Sequence, residues 1–344
     1  MNKRGLVPRF SLALISSIGP PLQWRTVRPF EDPRLDRMTR TSSRKPLVFF
    51  AVVLGLGALV VWYFKVLALG YYWLSTTLGA SQWAGASLWL PGYQVAIEGV
   101  PIQGLTRNTS GLTFNTETGT LFTVINRPPQ IAELTTDGRL LRVIALDGVK
   151  DPEGITYLQG DSYVISDEDS HRMHWVQIAR ETQRVSVAGR PSLGIGIDKL
   201  HNSSFEGVSW DSVHKRLYVV REKLPMRVLV ITGLDPAMPS TGFNIDISEW
   251  KSSRASSLFM SDLSSVTVHD PTGHLLLLSD ESALVVEYAP DGRPVSMLPL
   301  WRGFNGLQRK VPQPEGVAVG PDGTLYLLSE PNLFYRFAPA PKPS

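Results

Sequence analysis

Nine carboxylates stand at two recurring places in this chain and carry its strongest chemical signal. Glu153, Glu206 and Glu315 each precede a glycine that opens a short apolar strand. Asp167, Glu168, Glu222, Asp280, Glu281 and Glu330 each close the strand that follows such an opening. Asn126, Arg127, Arg221, Lys223 and Asn332 lie among them as candidate ligand-binding side chains. Antiparallel strands reverse direction, so the turn into a first strand and the turn out of the second share one face. If the units carrying these motifs surround one axis, the nine acids form a ring. Carboxylates crowded in low dielectric repel one another strongly. Protons, basic neighbours or a cation must then offset the charge. Hard oxygen donors in a chain without cysteine suit Ca2+ better than zinc. Glu153, Glu206 and Glu315 are expected as inner ligands and the other six acids as an outer ring. The alternative is structural: each Glu accepts backbone N–H bonds from the adjacent unit, and Arg127, Arg221 and Lys223 neutralise the rest.

The elements that must position these groups are repeated. First strands begin at Ser110-Gly111-Leu112-Thr113-Phe114, Glu153-Gly154-Ile155-Thr156-Tyr157, Glu206-Gly207-Val208-Ser209-Trp210, Ser264-Ser265-Val266-Thr267-Val268 and Glu315-Gly316-Val317-Ala318-Val319. A period of roughly 40–55 residues with several strands per unit is the signature of a β-propeller. Asp-Gly turns such as Asp137-Gly138, Asp291-Gly292 and Asp322-Gly323 fit tight connections between strands. No long helical period appears after residue 93, so the fold class is all-β. Four strands per unit parse readily. The second unit, for example, gives 154–158, 162–167, 172–178 and 184–188. The fifth unit ends after three strands, and Tyr93–Glu98 is expected to supply its fourth and close the ring. Five blades follow. A sixth would have to occupy 232–262, where one convincing strand is visible. Two inserts, 189–205 with Asp198, Lys199, His201 and Asn202, and 251–263 with Arg254, precede first strands and belong to the acidic face.

The N-terminal part is a different kind of sequence. Residues 47–64 are apolar and uncharged over about the length that spans hydrocarbon. Residues 1–65 carry eleven Lys and Arg against three acids, whereas the remainder carries 23 against 28, so the net charge of +3 hides two opposite halves. This asymmetry gives no support for nucleic-acid binding. The basic block before the apolar run places the N-terminus on the cytoplasmic side. The expected organisation is a basic cytoplasmic segment 1–46, an anchor 47–74, a tether 75–92, a propeller 93–338 and a tail 339–344. Trp62, Tyr63, Tyr71, Tyr72 and Trp73 suit a membrane interface. Val66-Leu67-Ala68 and Ala84-Gly85-Ala86 are weak cleavage sites, and an uncleaved anchor is the reading adopted. Met38 opens a conventional leader, so residues 1–37 are assigned no function.

Other motifs are weaker. The chain has no G-x-S-x-G elbow, and Gly194-Ile195-Gly196 is not placed as a dinucleotide fingerprint. The histidines make no metal signature, and no catalytic residue is assigned.

The wording of the repeats, DPEGITYL, FEGVSWD, RLYVVREK, LLLLSDES and QPEGVAV with LYLLSEPNLFYRF, resembles the bacterial SdiA-regulated (YjiK/CarP) family over about 93–338. The resemblance implies a membrane-anchored propeller, a link to calcium response, and a likeness in shape to NHL-type and phytase propellers. It also implies a bacterial inner-membrane protein whose C-terminal domain faces the periplasm. Leu263-Ser264-Ser265 departs from the pattern, since a glycine is expected at Ser265. Three functions are compatible with these readings: a membrane-tethered calcium-binding or sensing propeller, a Ca2+-dependent phytase-like phosphomonoesterase, and a metal-free scaffold for a protein or small anionic ligand.

Overall fold

The computed structural model describes residues 45–63, 65–83, 85–196, 205–222, 226–234, 245–250 and 258–339. Helix α1, Lys45–Tyr63, is long and apolar enough to cross a membrane, the one such helix among the described residues. Lys65 then turns through φ +48° into helix α2, Val66–Leu78.

Five antiparallel blades follow. Blade one is Thr109–Asn115, Thr120–Asn126, Pro129–Leu134 and Leu140–Asp147. Blade two begins with Pro152–Gln159, Ser162–Asp167 and Arg172–Gln177. Blade three is Phe205–Asp211, Arg216–Arg221, Arg227–Thr232 and Asp246–Glu249. Blade four is Ser265–His269, His274–Ser279, Leu284–Tyr288 and Pro294–Pro299. Blade five is Pro314–Val319, Leu325–Ser329 and Leu333–Pro339, with Tyr93–Pro101 paired antiparallel to that last strand. The five first strands neighbour one another in chain order, and the fifth returns to the first. The segment 232–262 supplies the outer strand of blade three.

Blade two departs from the expected parse. Arg184–Ser186 pairs in parallel with the outer strand of blade one, Ala145 opposite Arg184. Ser192–Gly194 takes the outer place in blade two instead. Arginines of blade one and of the strand itself explain the transfer. Arg142 Nη1 donates to the carbonyls of Ala179, Arg180 and Thr182, at 3.0, 2.6 and 3.0 Å. Arg184 Nη1 donates to both oxygens of Asp147, at 2.8 and 2.7 Å. The turn is thus held on the earlier blade.

Alternating apolar positions bury side chains between neighbouring sheets. One cluster fills each interface, such as Phe122, Ile131 and Ile144 of blade one against Tyr163, Ile165 and Val176 of blade two. Hydroxyls link the first strands. Thr113, Thr156 and Ser209 accept from the backbone N–H of Tyr157, Trp210 and Val268, at 3.1, 2.9 and 2.9 Å.

The segment 75–92 is partly helical and bound to blade four. The buried Glu287 accepts from the backbone N–H groups of Leu88 and Trp89, at 2.9 and 3.3 Å, and from Ser296 Oγ at 2.6 Å. Leu90 N–H donates to Ser296 Oγ at 3.0 Å, and the Leu90 side chain is fully buried.

First strands approach so closely that a side chain has no room at the shared glycine. A Cβ on Gly154 would lie 2.7 Å from the Glu206 carbonyl oxygen and 3.0 Å from Val208 N. On Gly207 it would lie 2.9 Å from Ser265 Cα, and on Gly316 2.9 Å from the Gly111 carbonyl carbon. Ser265, where a glycine was expected, is accommodated: it is buried, and its Oγ accepts from Val317 N at 3.4 Å. Because the obstacle at Gly154 is backbone, Gly154→Ala should destabilise the propeller by about 1–3 kcal/mol. Thermal denaturation should read this as a lowered, still cooperative transition. An unchanged melting temperature would contradict the packing described.

Candidate functional site: an acidic cavity at the propeller axis

The turns at one end of the axis enclose a cavity of about 290 Å3 to which every blade contributes. Blade one gives Asn126, blade two Glu153 and Glu168, and blade three Glu206 and Glu222. Asp262, Ser264 and Asp280 come from blade four and the segment leading into it, and Gln313, Glu315 and Glu330 from blade five and its lead-in. No lysine or arginine lines it among the described residues.

Repetition accounts for this convergence. Each Glu-Gly pair sits where a first strand starts, and the glycine lets the next blade's backbone come into contact. The preceding Glu is thereby carried to the mouth of the ring. Of the nine expected acids, Glu153, Glu168, Glu206, Glu222, Asp280, Glu315 and Glu330 line the cavity. Asp167 and Glu281 do not. Asp167 is buried beneath the loop, where it accepts from Asp151 N–H at 3.1 Å and from Ser170 Oγ at 2.7 Å. It therefore shapes the Asp151 turn. Glu281 N–H donates to Asp262 Oδ1 at 3.1 Å.

The other candidates scatter. Asn126 lines the cavity and donates from Nδ2 to Glu153 Oε1 at 2.8 Å. Arg127 is 73% exposed and reaches Asp151 at 3.4 Å. Arg221 is buried at the end of the second strand of blade three. Asn332 binds the carbonyl of Leu105 at 2.5 Å, tying the chain ahead of blade one to blade five. Lys223 lies outside the described residues, as do Asp198, Lys199, His201, Asn202 and Arg254.

The structure adds Asp151, Asp262, Ser264 and Gln313 to the cavity and its rim. One carboxylate oxygen from each of Asp151, Glu153 and Glu168 lies within 4.8 Å of the others, a spacing that can hold a metal ion. Asp151 Oδ1 and Asn126 Oδ1 are buried without a hydrogen-bond partner beside them. Asp151 had a signal in the sequence, an acid two residues ahead of the repeat Glu. Asp262 holds the same place in blade four, two residues ahead of Ser264, and accepts from Ser279 Oγ and Glu281 N–H.

Electrostatics reflect the crowding. Burial, then the charges of Asp280, Glu153, Glu330 and Asp262, pushes Glu315 up to about 9. Burial raises Glu153 to about 7, the bond from Asn126 opposing it and Asp151 and Glu168 adding to it. Asp280 rises to about 6, through burial and then Asp262, with Lys310 opposing. Burial also raises Glu330.

Fold and cavity together define a five-bladed β-propeller with an acidic axial mouth. The chain belongs to the SdiA-regulated family, whose model matches residues 85–338. Among solved structures it is similar to a calcium-binding protein, regucalcin, from Agrobacterium tumefaciens strain C58. That match has 14% identity and a TM-score of 0.44 over 71% of this chain and 93% of the other. It is also similar to the glutaminyl cyclase of Myxococcus xanthus, at 12% identity and TM-score 0.45 over 72% and 95%. A gluconolactonase from Xanthomonas campestris matches at 13% identity and TM-score 0.41 over 66% and 71%. At these values the matches bear on neither ligand nor activity.

Carboxyl groups raised in the folded state hold protons more tightly there than in the unfolded chain. Their contribution is complete below the ordinary value of 4.5 for Glu and is lost as pH rises through about 6, 7 and 9. In chelator, stability should therefore fall across that range, by up to about 1.4 kcal/mol per pH unit for each proton involved. Glu315→Gln should flatten the alkaline part of the fall. Denaturant melts at a series of pH values read both effects, and a flat wild-type profile would contradict the electrostatics.

Proposed function

We propose that this protein is a single-pass inner-membrane protein whose propeller faces the periplasm and binds Ca2+ at its acidic axial cavity, in a calcium-response role. The observation that carries this reading is the triad of Asp151, Glu153 and Glu168, with ligand oxygens within 4.8 Å of one another, two of the three lining a larger acidic cavity. The donor set fits the ion. All the candidate ligands are hard oxygens, and calcium accepts six to eight of them in flexible geometry. The unpartnered Oδ1 atoms of Asp151 and Asn126 are the kind of acceptor that a cation satisfies. Asn126 would join the triad as a neutral ligand, and the remaining acids would set the surrounding potential. A bound divalent ion would replace the protons that burial and mutual repulsion otherwise require at Glu153, Asp280 and Glu315. The absence of lysine and arginine from the described lining favours a cation over an anion bound directly.

The membrane part of the proposal rests on α1, which is apolar and uncharged after its first residue, Lys45, and follows a basic N-terminal block. The positive-inside tendency orients it with the propeller outside the cytoplasm.

A ligand that binds only the folded state raises its stability by about 2.7 kcal/mol at a hundred times its dissociation constant. Thermal melts of the detergent-solubilised full chain should rise with Ca2+ and less with Mg2+. Glu153→Gln combined with Glu168→Gln should abolish the response, with no loss of stability in EDTA. Equal calcium shifts in wild type and variant, or none in either, would overturn the proposal.

A further inference from the structure

We infer that α2 is an interfacial helix whose outer face lies in the lipid headgroup region and holds the propeller with blade four toward the bilayer. The inference rests on the reading that α1 crosses the membrane.

Helix α2 contains no Asp, Glu, Lys or Arg. One face is packed on the propeller. Tyr72 stacks on Phe259 with ring centroids 4.6 Å apart, and Ala68 and Leu69 pack on the same core cluster. Just ahead of α2, Lys65 Nζ donates to the carbonyls of Leu258 and Met260, at 3.2 and 2.7 Å. The helix is therefore fixed to the domain.

Its opposite face is apolar and uncovered. Leu67, Tyr71, Leu74 and Leu78 recur at helical spacing on one side and are 78%, 62%, 58% and 75% exposed. The patch continues onto the propeller, where Phe304 is exposed and meets the ring of Trp73 edge to face, 5.8 Å between centroids. A contiguous apolar surface without a charge is unfavourable in water and marks an interaction site. Chain connectivity identifies the occupant. Tyr63 ends α1, and at no more than about 3.6 Å per residue Leu67 must lie within roughly 14 Å of it. If α1 spans the bilayer, the start of α2 is at the membrane surface. An apolar helix face with Tyr and Trp at its borders suits that depth.

The chain has no cysteine, so single labels need no prior substitution. Leu74→Cys and Leu78→Cys, with Leu54→Cys in α1 and Val213→Cys on blade three as references, would carry an environment-sensitive fluorophore. The full chain would be reconstituted in vesicles of phosphatidylethanolamine and phosphatidylglycerol. Doxyl-labelled lipid should quench probes at 74 and 78 about as strongly as at 54, and iodide should quench them several-fold less than at 213. Iodide quenching at 74 and 78 equal to that at 213, with 54 still lipid-quenched, would overturn the inference and leave the anchor standing. Iodide quenching at 54 as well would remove the anchor and the inference together. Probes at 74 and 78 shielded from both quenchers would mean a protein occupant, which also contradicts it.

Discussion

Close approach of the five first strands is the constraint on which the rest of the molecule depends. The backbone of one blade touches the next at Gly111, Gly154, Gly207 and Gly316, with no room for a Cβ. That contact narrows the axis, and the residue ahead of three of these glycines is Glu153, Glu206 or Glu315. The packing rule and the chemical site are thus written in the same dipeptide. Where blade four carries Ser265 instead, its hydroxyl accepts from the next first strand, as Thr113, Thr156 and Ser209 do in theirs. Geometry leaves the acids converging on a cavity, and electrostatics then demands a counter-charge.

Protons and a divalent cation are alternative answers to that demand, and they compete. Without a cation, the folded state holds protons on Glu315, Glu153 and Asp280 at pH values where free carboxylates are ionised. With one, the same groups are free to ionise. Metal affinity and pH dependence are then two views of one equilibrium. The triad at Asp151, Glu153 and Glu168 lies between blade two and the Asn126 turn of blade one.

The repeat was legible because a short strand with a small residue at a fixed place reflects a packing requirement that recurs in space. Seven acids at the cavity followed from it. Side chains set by local hydrogen bonding did not. Asp167 is the last residue of its strand, one place before the position that Glu168 shares with Glu222, Asp280 and Glu330, and it turns beneath the loop to receive Asp151 N–H and Ser170 Oγ. Asp262 has the place in blade four that Asp151 has in blade two, two residues ahead of the repeat start and outside the Glu-Gly motif itself, and bonds from Ser279 and Glu281 hold it there. The move of Arg184–Ser186 to blade one depends on what Arg142 and Arg184 reach in three dimensions. Segment 75–92 reads as a tether from its Ser, Thr and Gly content. Its attachment depends on Glu287, which stands in blade four where Glu133 stands in blade one but accepts from the backbone N–H groups of Leu88 and Trp89.

Calorimetric titration of the full chain with Ca2+ near neutral pH, in two buffers of different ionisation enthalpy, tests the central claim most directly. The account predicts binding accompanied by proton release, because the cation displaces protons held by the crowded carboxyls, and loss of much of that release in Glu315→Gln. Calcium binding without proton release, or no binding at all, would contradict it.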